Sequence, residues 1–274
     1  MIKFLLQTIE GKVKHDFVFG LEQAIEYQNW RGNDMCCKYC SLEDITHFYM
    51  SDEDLEDYVP VGTVQFVLAY IDRFILKRGG FLIRPLNVPV ALQSYAGRHL
   101  CDHVIDDESR EGIYEHWKGK IGEDGSMFVK SNERIKSKVN DFYYAGDLLD
   151  KDELPDGEYQ ISSRIDIISE YRCFVYNDRL VGIQYYSGDF TVFPDVRTIE
   201  YMLSEYRYDY GNGNAPQAFT LDVAVTSEGK TVVMEVHEFF SCGLYGFDDY
   251  TVLPYMFVRT FNDIKNRLTS VSQK

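Results

Sequence analysis

The sequence predicts an α+β protein built mainly on antiparallel sheet. Three observations lead there. Segments with strand character outnumber those with helical spacing. Hairpin turns recur, at Asn177-Asp178 and at Glu228-Gly229, each between apolar strand-like runs. The chain also carries 21 Tyr and 18 Phe, residue types that suit a pleated, half-buried surface.

Taken in order, residues 1–10 read as a first strand and Leu21 to Asn29 as a short helix. The acidic run from Ser41 to Pro60 has helical spacing and two candidate caps, Ser41 and Ser51, with Pro60 as its stop. Val64, Val67, Leu68, Ile71, Ile75 and Leu76 then repeat at helical spacing, closed by Gly79-Gly80. FLIRPLNVPVAL reads as a strand and loop broken by Pro85 and Pro89. Around 103–126 the texture turns polar and turn-rich, which places a domain boundary near 115 and divides the chain into 1–115 and 116–274. Strands follow at SMFVKS, ending in Lys130, and at EYQISSRIDI. EYRCFVYNDRLVGIQYYS is a hairpin about Asn177-Asp178, with Gly182 and Gly188 marking turns or bulges. TIEYMLSEYRY is a helix, QAFTLDVAVTSEGKTVVMEVHEFF a second hairpin, and YMFVRTFNDIKNRL a closing helix.

Charge and composition exclude several classes. A net charge of −16 argues against a general nucleic-acid surface, which needs clustered Lys and Arg to replace counterions. The absence of an apolar run of about 18 residues argues against a membrane span. The N-terminus has no small-residue cleavage site, so the expected compartment is the cytoplasm. Cys36, Cys37 and Cys40, followed by His47, have half the pattern of a zinc site but lack a second ligand pair at matching spacing; free thiols are the reading. There is no P-loop, no Gly-x-Gly-x-x-Gly after a strand, and no His-Glu-x-x-His; GNGN at 211–214 reads as a loop.

The second hairpin is the most informative segment. With Glu228-Gly229 as a two-residue loop, Val225 faces Val232, Val223 faces Met234 and Asp222 faces Glu235. Alternation then gives a core face of Leu221, Val223, Val225, Val232, Met234 and Val236. The other face carries Asp222, Ala224, Thr226, Thr231, Val233, Glu235 and His237. Opposed carboxylates repel, by up to about 1 kcal/mol when exposed. A hard cation removes that cost. The alternative is a solvated hairpin face that tolerates it.

These pieces, in this order, resemble the ATP-grasp superfamily over about 115–268, within the little-characterised bacterial and phage members called the arginine-to-lysine clade. VPVGTVQFV and IRPLNVPVAL are similar to the region that precedes the ATP-grasp domain there. The resemblance implies two α+β lobes with antiparallel sheets, preceded by an N-terminal α/β domain. It implies ATP as cofactor, with Lys130 at the phosphates and the segment Ser163, Arg164, Ile165 and Asp166 reading adenine through its backbone. Arg172, in SEYRCFV, resembles the arginine of the family's E-x-R strand, aimed at phosphate. Asp222, Glu235 and His237 fall where the family holds its metal, and Ser241 and Gly243 beside the acceptor.

His237 stands where the family has Asn. Imidazole is a poor match for Mg²⁺ and a better one for Mn²⁺, so His237 is open between metal ligand, phosphate hydrogen-bonder and structural residue. Without the resemblance, Lys130 reads more readily as a surface lysine at a strand end and Arg172 as a structural partner of Glu170 or Asp166. Lys136 and Lys138 are candidates for a loop over the phosphates or a solvated helix end. Cys242 lacks an adjacent base in sequence and is set aside as a nucleophile.

The implied activity is a carboxylate–amine ligase. A substrate carboxylate attacks the γ-phosphate, and an amine then displaces phosphate from the acylphosphate. The partners expected are ATP and a small carboxylate, amine or peptide. A non-catalytic nucleotide-binding module and a phosphoryl transfer on the same scaffold are the alternatives.

Overall fold

A computed structural model describes residues 1–47, 55, 57–76, 87–121, 125–132, 138–209 and 216–271. Ser51, Gly79-Gly80, Pro85, Lys136 and the 211–214 loop lie outside them.

The N-terminal part is a parallel sheet of β1 (Ile2–Gln7), β2 (Met35–Cys40) and β3 (Val59–Val61), ordered β2-β1-β3. Helix α1 (Asp16–Trp30) joins the first two strands. It begins earlier than the expected Leu21, because Phe17, Val18 and Gly20 are also buried and extend its apolar stripe. Ser41 caps α2 (Leu42–Thr46) in a capping box with Asp44. The helix is far shorter than the acidic run suggested, and Pro60 sits inside β3, tolerated because β3 is an edge strand. Helix α3 (Val64–Ile71) continues as a π-helical turn over Asp72–Leu76. Val90–Tyr95, expected as strand and loop, is a 3₁₀ helix starting just after Pro89.

Two four-stranded antiparallel sheets follow. One contains β4 (Leu100–Ile105), β5 (Ser126–Ser131), β6 (Asp141–Tyr144) and β7 (Gly157–Ser163), ordered β4-β7-β5-β6. Helix α4 (Arg110–Ile121) covers its outer face, with Ile113 and Trp117 in a core shared with Met127, Val129, Tyr159 and Ile161. The boundary expected near 115 falls inside α4. That helix reads as polar because it buries only Arg110, Ile113 and Trp117, and its sheet already includes β4.

The other sheet contains β8 (Ile167–Tyr176), β9 (Arg179–Gly188), β10 (Ala218–Thr226) and β11 (Thr231–Glu238), ordered β11-β10-β8-β9. Helix α5 (Val196–Asp209) packs Ile199, Met202 and Tyr206 on it. Helix α6 (Leu253–Val271) instead joins the N-terminal core, through Met256, Phe257 and Phe261. Among the described residues no helix is long and apolar enough to cross a membrane.

The first hairpin turns at Asn177 and Asp178, with φ of 47° and 63°, as a two-residue primed turn requires. Register shifts follow Glu170, opposite Ser187 and Tyr186, and Phe174, which pairs with Gly182 of β9; Gly188 pairs with Ser169. Gly188 has φ +87°, and a Cβ there would lie 2.0 Å from the Ile168 carbonyl oxygen. Gly188→Ala is therefore expected to cost about 2 kcal/mol or more, read as a lower urea midpoint at unchanged slope.

One short segment ties the sheets together. The Asn87 carbonyl accepts from Val236 N on β11 at 3.0 Å. The Val88 backbone exchanges bonds of 2.8 and 2.9 Å with the Gln160 amide on β7, and Asn87 Nδ2 donates to Asn132 Oδ1 at 2.9 Å.

Candidate active site

The site lies between the two four-stranded sheets. Alternation on β5 sends Met127 and Val129 into the core and turns Phe128 and Lys130 to the gap. On β7 it turns Gln160 and Ser162 the same way. These residues, with Ser163, Arg164, Ile165, Glu170, Tyr186, Met234 and Glu235, line a cavity of about 430 Å³.

The hairpin brings Asp222 opposite Glu235, as expected, but by a different route. The loop has three residues, not two: Thr226 N donates to the Lys230 carbonyl at 2.9 Å, and Gly229 takes φ +76°. The strand beyond it is therefore slipped by one, pairing Val225 with Thr231, Ala224 with Val232 and Val223 with Val233. A bulge between Asp222 and Val223 inserts Met234 as the extra residue and restores the register. So Val233, not Met234, joins Val223 in the core, and Met234 lines the cavity. The Arg98 guanidinium donates to the Val233 carbonyl at 3.0 Å at the bulge.

Both carboxylates already hold a cation. Lys130 Nζ donates to Glu235 Oε2. Arg172 grips Asp222 with Nε to Oδ1 at 2.8 Å and NH2 to Oδ2 at 2.7 Å. The Arg172 NH1 also donates to the Gly243 carbonyl at 3.2 Å, and its head lies 5.1 Å from the Tyr245 ring centre. Burial pushes the Asp222 carboxyl up, while the Arg172 bonds pull it back. Burial works against the Glu235 charge too, but Lys130, His237 and Arg172 together hold it below its ordinary range. A tyrosine at the second bulge adds to the wall: Tyr186 donates to Glu170 Oε2 at 3.1 Å and stacks on Tyr245 at 5.0 Å.

The other expected residues divide. Ser163, Arg164 and Ile165 line the cavity; Asp166 instead lines a neighbouring one, where its carbonyl accepts from Ser227 N at 3.0 Å. Ser241 is buried beside this region, in the loop that presents the Gly243 carbonyl to Arg172. His237 shares the Asp222 and Glu235 face and is buried, its ring 5.5 Å from Phe240. The ligand atoms of Asp222, Glu235 and His237 do not gather within 4.8 Å of one another. Burial pushes the Cys242 thiol up to about 12, so it stays protonated and inert, in keeping with its dismissal as a nucleophile. Cys36, Cys37 and Cys40 alternate along β2 and form no ligand cluster among the described residues.

The model of the ATP-grasp domain of the arginine-to-lysine clade, family 2, matches residues 109–254. The chain belongs to this ATP-grasp family. No curated protein matches its sequence. Its ATP-grasp fold is shared along nearly the whole chain by solved structures of low identity. A D-cycloserine synthetase superposes with a TM-score of 0.58 at 13% identity, covering 97% of this chain and 99% of that one. The D-alanine–D-alanine ligase of Bacillus anthracis gives 0.52 at 13% identity, covering 97% and 98%. The macrocyclase MdnC of Microcystis aeruginosa, bound with precursor peptide MdnA, gives 0.50 at 13% identity, covering 94% and 99%.

Arg98, Phe128, Gln160, Glu170, Tyr186 and Met234 also line this cavity and were not picked out from the sequence as site residues. Phe128 and Gln160 were accessible from strand alternation with Lys130. Tyr186 and Met234 sit at bulges, which leave no mark on the periodicity.

Proposed function

We propose that this chain is an ATP-dependent ligase that joins a carboxylate to an amine through an acylphosphate, acting on an amino acid, a peptide or a protein end. The observation that carries the reading is the pair of cation–carboxylate contacts beside the inter-sheet cavity, Arg172 with Asp222 within one sheet and Lys130 reaching Glu235 from the other. Phosphoryl transfer depends mainly on positioning and on neutralising phosphate charge, and these four groups supply both signs at short range.

In this reading ATP occupies the cavity. Phe128 and Met234 would offer the adenine an apolar wall, and the 163–165 backbone would read it. Lys130 leaves Glu235 for phosphate oxygens, and Arg172 orients Asp222 while offering its remaining donors to the γ-phosphate. Asp222 and Glu235 would hold the divalent ion: they are opposed and hard, Asp222 buried and Glu235 half-buried at the cavity wall, which fits Mg²⁺. When bound, that ion neutralises phosphate charge. His237 does not gather with them and is better placed as a supporting residue. The loop of Ser241 and Gly243 adjoins Arg172, which supports an acceptor carboxylate arriving there. A peptide acceptor draws support from the likeness to the macrocyclase bound with its precursor peptide.

The test is ADP release with Mg²⁺ across a panel of carboxylates and amines, with the product weighed. Release that depends on the acceptor and a condensed product are expected. Glu235→Gln and Asp222→Asn should each lower turnover by about 10²–10³-fold. Unchanged turnover in both variants would overturn the proposal. A stable phosphorylated product would mean transfer to a hydroxyl, and nucleotide binding with no product would mean a binding module.

A further inference from the structure

Outside the nucleotide cavity, β4 and α4 bring together three side chains with metal-binding chemistry. His99 precedes β4, Cys101 lies on it, and His116 comes from α4. Leu100 lines the nucleotide cavity. Cys101, one residue on, packs against the core beneath α4, on the opposite face of the sheet. His99 and Cys101, two residues apart, therefore meet His116 on the outer side.

The Nε2 atoms of His99 and His116 are 2.9 Å apart, and Cys101 Sγ lies 3.6 Å from His99 Nε2. All three ligand atoms fall within 4.8 Å of one another, and among the described residues they are the one His, Cys, Asp or Glu group that does. A tetrahedral zinc ion at its usual bond lengths sets its donors about 3.3–3.6 Å apart. The Cys101–His99 spacing already matches, the two imidazoles need to part by a few tenths of an ångström, and the Cys101 sulfur starts within 4.8 Å of the His116 ring.

The surroundings hold the ligands in place. The Trp117 ring packs against both imidazoles, at 5.0 Å from His99 and 5.6 Å from His116. Trp117 is itself fixed by donating to His103 Nε2 at 3.0 Å, so His103 acts as a support and not a ligand. The His99 backbone is fixed by two bonds to Ser163, at 3.1 and 2.8 Å. His116 is exposed and the other two half-exposed, so an ion can enter from solvent.

We propose that His99, Cys101 and His116 form a zinc site. Two imidazoles and a thiolate select a borderline-soft ion over Mg²⁺, and three protein ligands leave a fourth position for water. The ion fastens α4 to β4. Through the His99–Ser163 bonds it also stiffens a wall of the nucleotide cavity from behind. The proposal is independent of the ligase reading.

The test uses untagged, chelator-treated full-length protein titrated with Zn²⁺ alone by calorimetry, and with Co²⁺ by absorption spectroscopy. The expected result is one Zn²⁺ per chain, a thiolate-to-cobalt charge-transfer band, and a raised unfolding temperature on zinc addition. His116→Ala, an exposed change that leaves the metal-free fold intact, should weaken zinc by about tenfold or more, and Cys101→Ser should abolish the cobalt band. No zinc binding, or zinc binding that survives His116→Ala but is lost in Cys36→Ser, would overturn the site.

Discussion

Asp222→Ala is expected to lower the stability of the fold by about 3–5 kcal/mol, the usual cost of stranding a buried charge. Asp222 and Arg172 are 3% and 7% exposed, so removing the carboxylate leaves a guanidinium facing protein in place of its partner. Its remaining contacts, the Gly243 carbonyl and the Tyr245 ring, carry no full negative charge. Urea unfolding checks the value. The double variant Asp222→Leu with Arg172→Met should regain most of the loss, because exchanging both members of a buried pair for apolar groups removes the stranded charge. A single-variant loss below about 1 kcal/mol would mean that water reaches the pair, as it does at exposed ion pairs.

Lys130→Met carries the second large effect, and it has a pH signature. In the native chain Glu235 is held below its ordinary value, about 4.3 for an unperturbed glutamate. A depressed carboxyl contributes stability above its unfolded pKa, and that contribution is lost as pH falls through the folded pKa. Without Lys130, burial dominates and lifts Glu235 above its unfolded value. The sign then reverses: folding is favoured with Glu235 protonated, and that advantage is lost as pH rises through the folded pKa. The stability difference between native and variant chains should therefore widen from pH 4 to pH 7. A difference flat with pH would show that His237 and Arg172 hold Glu235 ionised without Lys130. Nucleotide-dependent turnover should fall by about 10²–10³-fold in the same variant.

Much of this architecture was legible in the sequence, for reasons that also mark the limit. Asn177-Asp178 announced its turn because those residue types tolerate positive φ. The pairing of Asp222 with Glu235 was read correctly through two compensating slips, a loop one residue longer than assumed and a bulge at Met234 that took the residue back. Bulges are held by groups from elsewhere in the chain, here the Arg98 guanidinium bonded to the Val233 carbonyl, and a single strand's periodicity does not encode them. The cavity was illegible for a similar reason: its lining comes from seven strands and the segment that joins the sheets, so no local pattern reports it. The His99, Cys101 and His116 cluster was hidden because α4 was read as a polar boundary and β4 was not read as a strand.

The tie at Asn87 and Val88 has a mechanical consequence. The two four-stranded sheets are joined through the chain at 164–166 and again, independently, at this clasp. Two bodies held at these two points alone would keep one rigid freedom, rotation about the line through the pins, and such a rotation must also release the Lys130–Glu235 and Arg98–Val233 contacts. Any opening that admits a nucleotide without breaking the clasp is thus a swing about that axle and not a parting of plates, and its direction is set by where Asn87 and Arg164 sit.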